Sequence, residues 1–177
     1  NLAMPERNSL LRNRVALITG ASRGIGGAVA RRYAEEGADI IAVARTVGAL
    51  EELDDDIQRI SGKPATLVSM DITDSSKISQ MGAAIYERFG RLDILVGNAG
   101  VLGTLSPLSH IDPNIWNQVL SVNLTANWCL LRAMHPLLQA SEAGRALFVT
   151  STVGREARAY WGAYAVSKSG LEMMTKI

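Results

Sequence analysis

The chain has 177 residues, 47% of them hydrophobic and 20% charged, which is typical of one water-soluble globular domain spanning residues 1–177. Lys and Arg number 18 against 17 Asp and Glu, so a net charge of +1 gives no electrostatic basis for binding nucleic acid. Cys129 is the only cysteine, which excludes an intrachain disulfide and a multi-cysteine metal site, and no metal site is predicted.

The sequence also gives no indication of a membrane protein. No apolar run approaches the roughly 18 residues needed to span a bilayer. The first 14 residues, NLAMPERNSLLRNR, are polar and lack the apolar centre of a secretory signal. We therefore expect a cytoplasmic protein that binds neither membrane nor nucleic acid.

Short apolar runs alternate with helical stretches along the chain. The predicted strands cover residues 14–20, 38–44, 65–71, 92–100 and 145–151. Three predicted helices cover residues 24–36, 47–61 and 113–139. A further helix begins after Thr73 or Asp74, either of which could cap it, and runs to Phe89. The last helix begins at about Tyr160. Pro136 is expected to bend or end the long helix over 113–139.

Strands of almost continuous apolar character, each followed by a helix, are typical of a parallel sheet covered on both faces. The sequence therefore predicts an α/β fold, a doubly wound parallel sheet of the Rossmann type. Five strands are visible, whereas the best-known strand order of this kind has six.

A glycine-rich turn, TGASRGIG at 19–26, joins the first predicted strand to the first predicted helix. A helix N-terminus presents unpaired N–H groups and a partial positive charge, and glycines let a pyrophosphate approach the backbone. In this position the turn predicts dinucleotide binding, the alternative being a purely structural turn. The cofactor-binding residues predicted here are Gly20, Ser22, Arg23, Gly24, Ile25 and Gly26.

The end of the second strand indicates which dinucleotide is bound. An acidic residue at this position binds the ribose 2′-hydroxyl of NAD, whereas an arginine accommodates the 2′-phosphate of NADP. The chain has Arg45 there, and Arg23 adds a second cation nearby. Because a guanidinium matches phosphate well, both favour NADP(H) over NAD(H), unless they are only solvated surface residues.

Tyr164 and Lys168 lie four positions apart in the segment WGAYAVSKSG, among small residues. That spacing places both side chains on one face of a helix, close enough to act together. By itself the short pair favours a half-buried phenol at a helix packing face beside a solvated lysine.

Together the motifs resemble the short-chain dehydrogenase/reductase family. The resemblance rests on TGASRGIG, on NAG at 98–100, on Asn123, on Ser151 and on Tyr164-x-x-x-Lys168. Ser151 precedes Tyr164 by thirteen residues, as the family pattern requires. The resemblance extends from about Leu11 to the end of the chain.

The resemblance implies four catalytic residues. Tyr164 would protonate the carbonyl oxygen during reduction, and Lys168 would bind the nicotinamide ribose and favour the phenolate. Ser151 would hold the substrate oxygen, although its hydroxyl is also placed to cap the next turn. Asn123 would fix a water that links Lys168 to solvent, the alternative being a buried amide satisfied by backbone.

The resemblance also implies further cofactor contacts. Asp71 would contact the adenine with Ile72 beside the ring, and Asn98, Ala99 and Gly100 would lie under the cofactor. Gly97 stands where many members have an asparagine, which we expect to cost one cofactor contact without changing the fold.

The family pattern bears on the assembly and on the extent of the chain. In the family the helices that carry Asn123 and Tyr164 pair between subunits, which implies a homodimer or homotetramer. Members continue past the last helix with further strands and a segment that covers the substrate. We therefore expect the C-terminal strands to be missing and the chain to be an incomplete part of a longer enzyme.

The predicted function is NADP-preferring transfer of a hydride between the nicotinamide and a small-molecule carbonyl or secondary alcohol. Segments 101–108 and 152–161 should border the substrate pocket, because they follow strand ends. The alternatives are the same reaction with NAD, and a dinucleotide-binding sensor or scaffold without turnover.

Overall fold

A computed structural model of the chain describes residues 10–177 and contains one sheet of five parallel strands, in the order β3-β2-β1-β4-β5. The strands are β1 Val15–Thr19, β2 Asp39–Ala44, β3 Thr66–Ser69, β4 Ile94–Gly97 and β5 Arg145–Phe148. This confirms the doubly wound α/β fold. All five strands are shorter than predicted, and the last three differ most because the residues beyond them leave the sheet for loops at the site.

Helices cover both faces of the sheet. They are α1 Gly24–Glu35, α2 Val47–Ser61, α3 Ser75–Phe89, α4 Pro113–Leu120, α5 Ala126–Gln139 and α6 Gly162–Lys176. Of the two candidate caps for α3, it is the Asp74 side chain that accepts a hydrogen bond from the Lys77 N–H. The last helix begins at Gly162 rather than near Tyr160, because Tyr160 has a φ of 72° and Trp161 bridges to Ser106.

The long predicted helix over 113–139 is interrupted, but not at the proline. A π-helical turn, Ser121–Thr125, separates α4 from α5. Pro136 lies inside α5, which continues to Gln139, so of the two expected effects the helix end at Pro136 is wrong and the bend stays a prediction. Because Pro136 lies in the last turn of α5, its missing N–H removes a hydrogen bond only where the helix is already ending.

The core has two layers, one on each face of the sheet. On one face α3 and α5 pack large side chains such as Ile78, Leu130 and Met134 against the strands. On the other face α1 contributes small residues, including Ala30 and Ala34, and α2 contributes three buried aliphatic residues, Leu50, Leu53 and Ile57. The alanines of α1 let this helix approach the sheet closely, which brings its N-terminus to the strand ends.

The amino ends of β1 and β4 are joined by Asp93. Its buried carboxylate accepts hydrogen bonds from the Val15 N–H at 2.8 Å and the Ser141 hydroxyl at 2.6 Å. Burial raises the pKa of Asp93, but the hydrogen bonds from Ser141 and Val15 and the charge of Arg91 outweigh burial and hold that pKa below its ordinary value.

The carboxyl ends of β1 and β4 form the switch point of the sheet. From β1 the chain adds β2 and β3 on one side, and it then crosses back to add β4 and β5 on the other. Loops that leave β1 and β4 therefore diverge and open a crevice, which is where doubly wound sheets bind their ligands.

Candidate active site

The glycine-rich turn after β1 adopts the tight conformation that its glycines permit. Gly20 and Gly24 have φ values of 60° and 56°, in the left-handed region that favours glycine. A Cβ on Gly26 would lie 2.5 Å from Asn98 Nδ2 and closer still to the Gly20 carbonyl oxygen. The turn therefore folds against the loop after β4 with no room for a side chain at Gly26.

Thr19, the first residue of the motif TGASRGIG but not one of the predicted cofactor residues, fixes these two loops to each other. Its hydroxyl oxygen accepts the backbone N–H groups of Asn98 at 2.9 Å and Ala99 at 3.1 Å. In return, the Asn98 side-chain amide donates to the carbonyls of Thr19 and Gly20 at 3.1 and 3.2 Å. The feature that identifies Thr19 is its position, since it is a fully buried hydroxyl-bearing residue at the end of the first strand.

A cavity of about 830 Å³ opens at the switch point. It is lined by most of the predicted cofactor residues, namely Gly20, Ser22, Arg23, Gly24, Arg45, Asp71, Ile72, Asn98, Ala99 and Gly100. Ile25 and Gly26 do not line it, since the Ile25 side chain is 61% exposed and Gly26 is buried beneath the turn. The volume, the glycine cradle and the N-terminus of α1 fit a dinucleotide.

The helix α4, together with the first residue of the π-helical turn that follows it, contributes a polar wall to the cavity that the motifs did not indicate. Asn114, Asn117, Gln118 and Ser121 all line it. They lie at i, i+3, i+4 and i+7, so they share one helix face. That periodic polar stripe, read beside the apolar stripe of the same helix, is the sequence signal for this wall.

Positive charge gathers at the end of the cavity next to β2. Arg23 and Arg45 are exposed there, and neither forms an ion pair with any residue in 10–177. Asp71 accepts hydrogen bonds from the Thr73 N–H and hydroxyl, which lower the pKa of its carboxyl, and the nearby charge of Arg45 lowers it further. Two unpaired guanidinium groups suit an additional phosphate.

Tyr164 and Lys168 come together on α6. The Lys168 ammonium lies 5.6 Å from the centroid of the Tyr164 ring and donates to the Val149 carbonyl at 2.8 Å. Lys168 is only 4% exposed, and burial lowers the pKa of its ammonium. Of the two interpretations of the spacing, the solvated lysine is therefore wrong.

The side chain of Asn123, which lies in the π-helical turn, is fully buried and satisfied by protein groups. Its amide exchanges two hydrogen bonds with the Val101 backbone, at 2.8 and 2.9 Å, and donates to the Ser167 hydroxyl at 3.0 Å. The Asn123 backbone carbonyl accepts the Asn127 side-chain amide at 2.8 Å, and the expected water contact stays a prediction.

Ser151 follows β5 and precedes a short 3₁₀ turn, Thr152–Gly154. Its carbonyl, rather than its hydroxyl, accepts the Gly154 N–H at 3.0 Å, and its side chain makes no capping hydrogen bond. The hydroxyl is therefore available to a substrate. Ser151, Tyr164 and Lys168 lie outside the lining of the 830 Å³ cavity.

The two segments predicted to border the substrate pocket meet near Tyr164. The Ser106 N–H donates to the Tyr160 carbonyl at 3.1 Å, which joins the loop after β4 to the segment before α6. The Trp161 ring lies edge-on to the Tyr164 ring with 5.9 Å between centroids, and Arg158 stacks over Trp161 at 5.6 Å. An aromatic wall therefore stands beside the phenol.

Gly97 has a packing reason to be glycine. A Cβ at this position would lie 2.5 Å from the Phe148 ring and closer still to the Asn127 side chain. Phe148 and Asn127 thus fill the space that a side chain at position 97 would occupy, which gives the departure from the family pattern a structural cause.

Within residues 10–177, no group of three or more His, Cys, Asp or Glu side chains is arranged to hold a metal ion. None of the helices described in that range combines the length and the hydrophobicity needed to cross a bilayer.

Comparisons with known proteins agree with this geometry. A sequence model for a family described as short chain dehydrogenase matches residues 14–177. The oxidoreductase YciK of Escherichia coli is 38% identical over 173 residues, covering 97% of this chain and 69% of that protein. An NAD-dependent oxidoreductase of Mycobacterium tuberculosis is 37% identical over 185 residues, covering 97% of this chain and 67% of its own length.

The fold matches solved structures equally well. A short-chain dehydrogenase from Escherichia coli CFT073, complexed with NADPH, superimposes with a TM-score of 0.91 at 39% identity. The match covers 96% of this chain and 71% of that one. A Shigella flexneri relative complexed with NADP superimposes with the same TM-score of 0.91, at 37% identity, with coverage of 96% and 71%.

Proposed function

The chain belongs to the short-chain dehydrogenase family of NAD(P)-dependent oxidoreductases, and we propose that it prefers NADP(H) and interconverts a small-molecule carbonyl and a secondary alcohol. The observation that carries this proposal is the pairing of Tyr164 with the ammonium of the buried Lys168, whose Nζ would lie 3.6 Å from a Cβ on Gly100 in the loop after β4. A protein that only binds dinucleotide has no need of this pair.

The cofactor, when bound, donates or accepts the hydride. The backbone N–H groups at the start of α1 would hold its pyrophosphate, since Gly20 and Gly24 leave the turn open to it. Asn98, Ala99 and Gly100 would support it from below, held in place by Thr19. Asp71 and Ile72 would contact the adenine.

The residues on α6 and after β5 would handle the substrate oxygen and its proton. Tyr164 would donate its phenolic proton to the carbonyl oxygen in reduction and take it back in oxidation. The Lys168 ammonium would stabilise the phenolate, because two opposite charges attract strongly where water is excluded. Ser151 would hold the oxygen with its free hydroxyl.

NADP is favoured over NAD by the guanidinium groups of Arg23 and Arg45, which form no ion pair within residues 10–177, and by the NADPH- and NADP-bound relatives. The second candidate function is the same reaction with NAD, because the relative in Mycobacterium tuberculosis is an NAD-dependent oxidoreductase. Replacing Arg45 with Asp would place an acidic group at the end of β2, where NAD enzymes usually have one.

Kinetics of the whole protein with NADPH and NADH separate these candidates. We expect Arg45→Asp to lower kcat/KM for NADPH by roughly 10-fold or more, the loss of a charge-assisted phosphate contact, and to spare NADH. Arg12→Asp makes the same charge change at an exposed site away from the cavity and serves as the control. A wild-type enzyme that uses NADH better than NADPH would refute the preference.

Turnover itself is tested with Tyr164→Phe, which removes the phenolic proton and keeps the ring. We expect kcat to fall by roughly 10²-fold or more in a screen of carbonyl compounds with NADPH, while fluorescence titration shows unchanged NADPH binding. Equal turnover by the variant would refute the role of Tyr164. Wild-type binding without any turnover would favour the sensor or scaffold.

We also propose that the protein is a cytoplasmic homodimer or homotetramer. Exposed apolar residues on α5 and α6, including Trp128, Val166 and Met173, support an assembly through these helices. The lone cysteine, Cys129, fits a compartment in which proteins do without disulfides.

A further inference from the structure

Glu172 lies one helical turn after Lys168 on α6 and makes two hydrogen bonds to the segment after β5. Its Oε1 accepts the Thr150 hydroxyl at 2.9 Å, and its Oε2 accepts the Arg155 Nε–H at 2.7 Å. Its side chain is only 9% exposed, although Arg155 is largely in solvent. The two bonds to Glu172 lower the pKa of its carboxyl, so the group is ionised at neutral pH.

The two partners of Glu172 stand on either side of Ser151. Thr150 directly precedes it, and Arg155 directly follows the turn Thr152–Gly154 that Ser151 introduces. Two further bonds join the same segment to α6, from Lys168 Nζ to the Val149 carbonyl at 2.8 Å and from the Ser169 hydroxyl to the Gly154 carbonyl at 2.6 Å.

The segment lies directly against the helix. A Cβ on Gly154 would stand 3.1 Å from Glu172 Oε1 and 3.3 Å from Lys168 Cβ, so a larger residue there would push the turn away from α6. The hydroxyl of Ser151 has no capping bond of its own to set its position. Its place is therefore set by the bonds that its neighbours make with α6.

We propose that Glu172 is a positioning residue that holds Ser151 in register with Tyr164, an inference that rests on the proposed function. Ser151 and Tyr164 must reach the same substrate oxygen, yet one lies after β5 and the other on α6. Glu172 bridges these elements, and Arg155 balances its charge. A displacement of about 1 Å between two such groups can lower a rate roughly 10²-fold.

The test is the kinetic effect of removing each bond in the whole protein. We expect Glu172→Ala to lower kcat roughly 10- to 100-fold and Thr150→Val roughly 10-fold, with NADPH affinity within about twofold of wild type. Glu172→Gln keeps an acceptor for Thr150 and should lose less. Thr175→Val, which removes a hydroxyl bonded to the Leu171 carbonyl on α6, is the control and should match wild type.

A Ser151→Ala background separates positioning from a general role in folding. If Glu172 acts through Ser151, then Glu172→Ala lowers kcat no further once the Ser151 hydroxyl is gone. Equal losses in both backgrounds would overturn the proposal, and so would wild-type kcat in both Glu172→Ala and Thr150→Val. If Glu172→Ala does not fold, Thr150→Val in the two backgrounds decides the question.

These outcomes are distinct from a failure of the proposed function. Should Tyr164→Phe turn over like wild type, the proposed function itself fails, whatever Glu172 does. Should Tyr164→Phe be inactive and Ser151→Ala impaired while the Glu172 and Thr150 variants behave as wild type, only the positioning role is refuted.

Discussion

Lys168 shows what the site demands of a single residue. Lys168 is only 4% exposed, and no carboxylate in the described part of the chain forms an ion pair with its ammonium. The ammonium donates a hydrogen bond to the Val149 carbonyl and lies over the face of the Tyr164 ring. A buried cation without a counter-ion opposes folding, so we attribute its presence to the site's chemistry.

The pH dependence of stability should reveal this cost. Burial places the native pKa of Lys168 below the ordinary value of 10.5, so between these two values the unfolded chain binds more protons than the native one. The free energy of unfolding of the Lys168 protein should therefore rise, relative to Lys168→Met, as the pH increases towards 10.5. Urea unfolding of both proteins from pH 7 to 10 measures the difference.

Both proteins should carry Tyr164→Phe in that experiment, so that ionisation of the neighbouring phenol does not contribute. A difference that stays flat or falls with rising pH would show that the native state does not penalise the charged lysine.

Gly26 and Gly48 offer a matched pair of glycines in the first turns of helices. A methyl group on Gly26 would collide with Gly20 and Asn98, whereas nothing lies within 4 Å of a Cβ on Gly48. We expect Gly26→Ala to weaken NADPH binding by more than about tenfold, since it displaces both loops that form the cradle. Gly48→Ala should keep the affinity and stabilise the fold by up to about 1 kcal/mol.

Fluorescence titration with NADPH and urea unfolding measure the two effects. Equal NADPH affinity for Gly26→Ala and wild type would show that the close approach of the turn to Asn98 has no part in binding.

At the scale of secondary-structure elements, the sequence predicts features that depend on neighbouring residues better than features that depend on tertiary contacts. The strands and the glycine turn follow from neighbouring residues, because apolar runs and glycines act locally. The partners of Asn123 and Glu172 could not be predicted, since Val101, Ser167 and Thr150 reach them only through the tertiary fold. The helix does not end at Pro136, because a proline's effect on a helix depends on its place in that helix.

The packing of β4 against β5 and α5 around Gly97 gives a prediction at this scale. Gly97→Asn, which restores the residue common in the family, should lower the free energy of unfolding by about 1–3 kcal/mol, because Phe148 and Asn127 occupy the space. Adding Phe148→Ala should recover part of the loss, although Phe148→Ala alone is destabilising.

Urea unfolding of the four proteins in this double-mutant cycle measures the coupling. Additive effects of the two substitutions would mean that Phe148 does not exclude a side chain at position 97.

At the scale of the whole molecule, two layers of helices cover the sheet, but α5 and α6 keep apolar side chains in solvent. Trp128 is 50% exposed, Val166 45% and Met173 57%. These helices also carry or adjoin the site residues Asn123, Tyr164 and Lys168. Assembly through this surface would therefore support the same elements that hold the site.

Substituting Trp128→Asp and Met173→Asp together should convert the whole protein from a dimer or tetramer to a smaller species, because a charge is costly in an apolar interface. Light scattering after size exclusion measures the mass. Tyr86→Asp on α3, where the ring is 67% exposed, is the control and should leave the assembly unchanged. A monomeric wild type, or an unchanged mass in the double variant, would contradict the prediction.

The π-helical turn Ser121–Thr125 changes the rotation of α5 about the helix axis relative to α4. Each residue advances an α-helix by about 100°, and a π turn accommodates one extra residue. That residue lets α4 turn its amide side chains to the cavity while α5 turns Leu130 and Met134 to the core. A one-residue deletion here would leave the composition almost intact yet rotate one of the two helices out of phase, so the length of this stretch should matter independently of the side chain of Asn123.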